Sequence, residues 1–490
     1  MTVRWRTPLL VLFASFFVFS SQSALAEHSF ENAAIVRTVD LGGSSVHVTT
    51  TYAIKALENG AQKYAIALGE KEAAVTSFME AKIKGQSEPL GLHARPLHPT
   101  GHPHLYTVDL PKALSVNGTI NLVVETVQTH ATYPWPQQAS QKDEQNFKYD
   151  TELFVLSPYK TSTQRTKIRS PSPNILSYTT PEGVDSFATD SIATKSGATV
   201  TYGPFSNIPE SISTEFIQAN QKPLTVHYRY DFTVLEIKKL ERMAEISHWG
   251  ANLNIHNNID LHNAGPKLKG QFSRMDYQAQ AFMGQLPAHI LPSMTLHLPP
   301  GIHSAYFLDL NGNVSTSRLR TVPSVPKGAS SNQYSILELK PRYPIMGGWN
   351  YNFTLGWDSP LRDSAGYDRT TGKYVVGVPV QTLLPGAVVD EAEVKIIFPE
   401  GATDIEVFPP FPALSQSMST HVTYLDTIGR PAVTFHYQNL TDRHTGTIYA
   451  TYKVPLSAHL QKPKAVLTAF LGLFAIGLAV KRVDLRLTKP

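Results

Sequence analysis

Apolar and polar residues alternate strictly from Leu224 to Val234. Leu224, Val226, Tyr228, Tyr230, Phe232 and Val234 stand against Thr225, His227, Arg229, Asp231 and Thr233. A period of two over this length predicts a long strand with one buried face. Shorter runs of the same kind predict strands over 35–41, 46–54, 120–127, 293–298, 394–398 and 447–454, with a Pro399-Glu400-Gly401 turn closing the fifth. Residues 234–246 are ambiguous: their Glu and Lys content suits a helix, and they also read as a continuing strand. Helical periodicity over twelve or more residues is otherwise scarce. The pattern is β-rich.

Two apolar runs depart from this alternation. Residues 465–480 carry no charge and are fenced by Lys464 on one side and by Lys481 and Arg482 on the other. As a helix they span ~24 Å, a little short of a ~30 Å hydrocarbon core, a gap that a thinner bilayer and snorkelling cations close. Near the start, Arg4 and Arg6 precede an apolar stretch over 8–19, and Ala24-Leu25-Ala26 forms a small-x-small cleavage pattern. Residues 1–26 therefore read as a signal peptide cut between Ala26 and Glu27. Lys481, Arg482, Arg486 and Lys489 outnumber Lys462 and Lys464, so the positive-inside bias puts 481–490 in the cytosol and the bulk in the lumen.

Roughly 440 residues lie between the two runs, enough for two domains of ordinary size. A boundary is expected within 233–247, giving one β-rich domain over 27–238 and a second over 239–458. The fold expected is thus mainly β: two lumenal β-sandwich-like domains followed by a single C-terminal transmembrane helix over 465–480. Segments 137–148 and 321–333 read as loose connections. No short repeat is visible.

Composition narrows the chemistry. Cys is absent, which removes thiol catalysis, Cys-ligated zinc and redox chemistry; domains of ~200 residues bury enough surface to fold without disulfides. A net charge of +4 is small for 490 residues and argues against a nucleic-acid partner. Four Asn-x-Ser/Thr sequons are candidate glycan acceptors in a lumenal chain. Asn117 and Asn313 sit in turn-like contexts, whereas Asn352 and Asn439 adjoin strand-like residues that favour pairing or burial.

His93, His98, His102 and His104 lie close together, but three prolines and no neighbouring acid make the stretch an extended surface loop rather than a metal site. His248, His256 and His262 read as structural. Ser157-Pro-Tyr-Lys160 matches Ser-x-x-Lys, yet its proline prevents the helix that pairing requires. No Gly-x-Ser-x-Gly, phosphate loop, His-Glu-x-x-His or Asp-x-Asp occurs, and Glu391 and Glu393 read as solvated. No residue is assigned to catalysis, a cofactor or a metal. Trp249 and Trp349 read as core anchors beside glycine turns, and 247–277, 341–349 and Trp357 as segments rich in aromatic and polar groups. Thr468, Ala469, Gly472 and Gly477 offer small residues for packing against another membrane helix.

Three stretches of the second half carry a family resemblance. Glu245-Ile-Ser-His-Trp-Gly250 leads to Lys267-Leu-Lys-Gly270 and Phe272-Ser-Arg-Met-Asp-Tyr-Gln278. Asn311-Gly-Asn-Val-Ser-Thr-Ser-Arg318 precedes Lys340-Pro-Arg-Tyr-Pro-Ile-Met-Gly-Gly-Trp349, and Tyr424-Leu-Asp-Thr-Ile-Gly-Arg-Pro431 follows. In these motifs the chain resembles the ribophorin I family, subunit 1 of the dolichyl-diphosphooligosaccharide–protein glycosyltransferase, in its short-tailed fungal type. The resemblance implies a non-catalytic accessory subunit of the oligosaccharyltransferase complex, which moves a preassembled oligosaccharide from dolichyl diphosphate to Asn in sequons. It implies the endoplasmic reticulum membrane and no cofactor. The partners implied are a multi-span catalytic subunit, small membrane subunits and the incoming polypeptide. Animal members carry a longer cytosolic tail, so roles resting on that tail do not carry over. Two alternatives are a stand-alone membrane-anchored module that binds polypeptide and a lumenal hydrolase with a dispersed site.

Overall fold

A computed structural model describes residues 29–95, 104–188, 191–324, 333–382, 384–423 and 426–482. The cleavage pair Ala26 and Glu27 lies outside them, as do His98 and His102. Within them the chain is mainly β, with several sheets and one long apolar helix, Gln461–Arg482.

A seven-stranded sheet runs in the order Ala193–Ser196, Thr199–Ile208, Thr161–Arg169, Phe30–Asp40, Ser45–Ala56, Thr119–Thr129, Thr76–Ile83. Every second residue of Ser45–Ala56 is buried. That single face serves two cores. Val46 and Val48 join Phe147, Tyr149, Val226 and Tyr228 beneath a four-stranded sheet. Tyr52 and Ile54 join Tyr64, Ile66 and Val108 beneath a three-stranded one. Alternation thus becomes a sandwich because one face of the long sheet is covered along its whole length.

The second half repeats this plan. Its large sheet runs Ser415–His421, Arg430–Leu440, Ala387–Ile397, Leu235–Ser247, Asn252–Asn263, Asn350–Pro360, His303–Asp309, with Gly312–Asn313 added at the edge. In each half the opening strand forms a hairpin with the next (Phe30–Asp40 with Ser45–Ala56, Leu235–Ser247 with Asn252–Asn263) and runs parallel to a later one. Each large sheet is covered by a three-stranded and a four-stranded sheet whose strands follow the same chain order. Even an irregularity repeats. A bulge falls between Asn32 and Ala34 in one opening strand and between Ile237 and Lys239 in the other. Superposing the bulges sets 30–41 on 235–246 and places Arg37 opposite Arg242, both fully buried.

Three expectations change. The strand expected to run to Val234 ends at Arg229. There the Gln145 side-chain amide holds the backbone carbonyls of Tyr230 and Phe232 at 3.0 and 2.8 Å and leads the chain to the second large sheet. Residues 234–246 resolve as strand, not helix, and the bulge explains their mixed pattern, since Lys238 and Lys239 are both exposed. Trp249 is no core anchor: it sits on the hairpin after Leu235–Ser247 and is 64% exposed. Trp349 packs partly buried against the second core, and Trp357 is buried within it.

A charged seam joins the halves. His130 contacts Glu236 at 3.0 Å through Nδ1 and Asp390 at 2.8 Å through Nε2, and Lys238 bridges the same two acids at 2.6 and 2.9 Å. Short strands Gln138–Ala139, within the segment expected to be loose, and Lys267–Leu268 pair across it in parallel.

Candidate functional site at the base of the membrane helix

The helix Gln461–Arg482 presents no buried residue, and Phe470, Leu473, Phe474 and Ile476 are each more than half exposed. At ~1.5 Å per residue its 22 residues reach ~33 Å, enough for a hydrocarbon core. It is long and apolar enough to cross a membrane. Lys464 lies in its first turn, and Lys481 and Arg482 end it. Pro463 is tolerated because the first turn has amide groups without helical acceptors.

The base of this helix is bound to the second half by charge. Lys462 donates to Asp426 at 2.8 Å, and Arg430 pairs with the same carboxylate at 3.1 Å. The Thr423 amide and hydroxyl donate to Asp426 at 2.9 and 2.7 Å. Burial pushes the Asp426 carboxyl up, but Lys462, Thr423 and Arg430 outweigh it and hold the group far below the usual carboxylate range. Arg430 also pairs with Glu245 near the end of the opening strand. Glu400, in the turn after Ala387–Ile397, accepts from the Thr427 and Ile428 amides at 2.6 and 2.9 Å. Gly401 in that turn has φ +75°, and a Cβ there would lie 2.6 Å from that of Ala458, so only glycine lets the turn back onto the short helix Leu456–His459.

Aromatic packing continues the junction. His248 meets Tyr452 at 2.8 Å, and its ring stacks on His459 at 5.4 Å. Tyr374 stacks on Tyr452 at 5.6 Å. Burial, reinforced by His459, draws the His248 pKa down to about 4, so the ring is neutral at physiological pH. His248, Trp249, Glu400, Arg430, His459 and Lys462 line a narrow cleft of about 90 Å³. Its acids are matched by cations, and among the described residues no group of three His, Cys, Asp or Glu side chains is placed to hold a metal. The arrangement fixes a helix to a sheet sandwich.

A family model described as Ribophorin I matches residues 30–481. The chain belongs to the ribophorin I family. Among curated ribophorin I relatives, dolichyl-diphosphooligosaccharide–protein glycosyltransferase subunit 1B of Arabidopsis thaliana is 30% identical over 78% of this chain and 76% of its own length. Subunit 1B of Oryza sativa subsp. japonica is 30% identical over 79% and 75%, and subunit 1 of Caenorhabditis elegans 29% over 94% and 74%. Among solved structures, leukotriene A4 hydrolase of Saccharomyces cerevisiae aligns with a TM-score of 0.26 and 11% identity, over 41% of this chain and 29% of that one. An M1 zinc metallopeptidase of Deinococcus radiodurans aligns with a TM-score of 0.25 and 13% identity, over 44% and 42%.

The four sequon asparagines of this ribophorin I chain are all exposed; of the burial or pairing expected for Asn352 and Asn439, burial does not occur, while Asn352 is paired opposite Asp260 and Asn439 lies within the strand Arg430–Leu440. Asn117 and Asn439 adopt left-handed backbone at φ 65° and 52°. Asn352 points outward from the Asn350–Pro360 strand. The sequons differ at their hydroxyls: Thr119 is exposed, whereas Thr441 is 1% exposed and bonded to His444 at 3.1 Å. His93 is exposed and contacts Asp109 at 3.1 Å, an acid its local sequence did not show. His256 and His262 bond to Tyr306 at 2.8 Å and Asn350 at 2.5 Å. Ser157 is buried and receives Asn32 at 2.9 Å. The junction acids Asp426 and Glu400 were not singled out from sequence, because nothing in their local spacing signals that Lys462 reaches them.

Proposed function

We propose that this chain is a non-catalytic subunit of the oligosaccharyltransferase complex, anchored in the endoplasmic reticulum membrane with its bulk in the lumen and 481–490 in the cytosol. The observation that carries the reading is the family match over 30–481, together with relatives named as subunit 1 of that glycosyltransferase. The membrane junction supports a positioning role. A sandwich clamped to a membrane helix through Asp426, Arg430 and Lys462 holds its lumenal surface at a set height and tilt, where it braces neighbouring subunits and raises the local concentration of incoming polypeptide. The other titratable clusters, at the seam and around Arg37, join elements to one another. The partners in this reading are the multi-span catalytic subunit, small membrane subunits and the nascent chain. The lumenal mass forms two folding units that meet where the chain crosses from Arg229 to Leu235.

Detergent extraction and native separation with mass spectrometry test the assignment. The full chain should migrate in a particle several times its mass with a multi-span partner, and its depletion should lower occupancy of weak sequons on other glycoproteins. Migration alone, with normal occupancy after depletion, would leave a stand-alone binding module as the better account.

A further inference from the structure

The first half shows how this fold accommodates a buried arginine. Arg37 and Arg242 hold equivalent positions beside equivalent bulges, and each is 2% exposed. Around Arg37 the fold supplies acid. Glu72 stands on the helix Glu70–Val75, which joins Ala61–Leu68 to Thr76–Ile83; burial raises its carboxyl pKa and Arg37 pulls it back. Glu152 ends the strand Asn146–Glu152, and its backbone carbonyl accepts from Arg37.

The second half has neither acid. The connection equivalent to the Glu72 helix, between Met294–Leu298 and His303–Asp309, is Pro299-Pro300-Gly301-Ile302. The strand equivalent to Asn146–Glu152 is Lys373–Pro379, and it ends in Pro379. Arg242 donates to Thr382 at 2.9 Å, lies 5.9 Å from the Trp357 ring centre, and has no ion-pair partner among the described residues. Its Nε is unbonded, as is that of Arg37, and so is the indole nitrogen of Trp357. Burial alone draws its pKa down to about 10, still charged at lumenal pH. Beside Arg242 there is open space. A cleft of about 600 Å³ is lined by Arg242, Pro299, Pro300, Trp357, Pro379 and Tyr449, among others. An adjoining cleft of about 780 Å³ shares the first five and adds His297 and Tyr334, whose rings stack at 5.7 Å. Arg362 and Asp363 also line the first cleft and lie 3.7 Å from each other.

We propose that the cleft over Arg242 docks an extended acidic segment of another subunit, whose Asp or Glu carboxylate supplies the counter-charge that Arg242 lacks among the described residues. The inference rests on the reading of this chain as a subunit. A carboxylate fits better than a phosphate because the cleft offers one buried cation between proline and aromatic walls, matching a single charge on a hydrocarbon stem. A permanent subunit fits better than a passing polypeptide, because a desolvated cation without a counter-charge is costly whenever the cleft stands empty.

A photo-crosslinking residue in place of Tyr449 or Tyr334, both 54% exposed, tests this in membranes containing the full chain. The expected product joins one fixed Asp- or Glu-bearing segment of another subunit and survives release of nascent chains by puromycin. Its yield should fall about tenfold in Arg242→Met, in Pro379→Glu (which fills the cleft from within) and when the crosslinked acid is changed to its amide. Products with newly made chains that vanish on puromycin, no polypeptide product, or unchanged yield in Pro379→Glu and the acid-to-amide variant would each overturn it. Loss of migration in the large particle by the unsubstituted chain would instead defeat the subunit reading.

Discussion

Glu72 and Asp426 both stand near arginines withdrawn from water, but the balance differs between them. The partners of Asp426 outweigh its burial, whereas the burial of Glu72 outweighs Arg37. Glu72→Gln should therefore leave the thermal midpoint of the purified full chain at neutral pH unchanged or slightly raised. A fall of several degrees would mean that the Glu72 charge holds Arg37 alongside the Glu152 carbonyl. The sequons make a different argument. Asn117 and Asn439 are equally exposed, but the Thr441 hydroxyl is buried against His444 while Thr119 is open. Unglycosylated, folded chain offered to active oligosaccharyltransferase should gain glycan at Asn117 and not at Asn439, as scored by glycopeptide mass spectrometry. Modification of both at equal rates would show that the 439–444 turn opens in the folded chain.

Asp426 carries Lys462 and Arg430 together and so ties the helix Gln461–Arg482 to the strand Arg430–Leu440. Asp426→Asn should free the helix base. The cysteine-free chain accepts single spin labels cleanly, so the distance distribution between labels at Phe408 and Phe474 should broaden in this variant and stay narrow in the parent. Equal widths would place the clamp elsewhere. Strands such as Ser45–Ala56 were legible in advance because their inner face alternates without interruption. Leu235–Ser247 was not, since its bulge sets two lysines side by side and erases the period. Nor was the exposure of Trp249, because tryptophan beside glycine looks alike in a core and on a hairpin tip. The apolar helix was the plainest element of all. Its clamp was hidden because Asp426 and Lys462 are joined only by the fold.

The sandwich plan repeats in a way that no short sequence repeat reveals. The two halves share strand order, crossover and bulge, yet 30–41 and 235–246 share little beyond an apolar rhythm, one glutamate and one arginine. Two copies of one sandwich need something at their join, and the bulge of the second copy supplies Glu236 and Lys238 to it. His130 completes the seam, and its folded pKa is raised to about 9 by hydrogen bonds to Asp390 and Glu236. A raised value on a cation means that its contribution is whole below the unfolded pKa of about 6.5 and fades as pH climbs through the folded value. Partial exposure screens the pair, so the contribution is about 1 kcal/mol. The full chain should thus lose thermal stability between pH 6.5 and 9.5, with that slope flattened in His130→Gln. On the acid side the direction reverses: hydrogen bonds to His130 and Lys238 outweigh burial and hold Glu236 and Asp390 below their ordinary values, so the seam weakens again as those carboxylates gain protons. An identical slope in His130→Gln would mean that the halves are held by the Gln138–Ala139 and Lys267–Leu268 pairing and by packing, with the charges as bystanders.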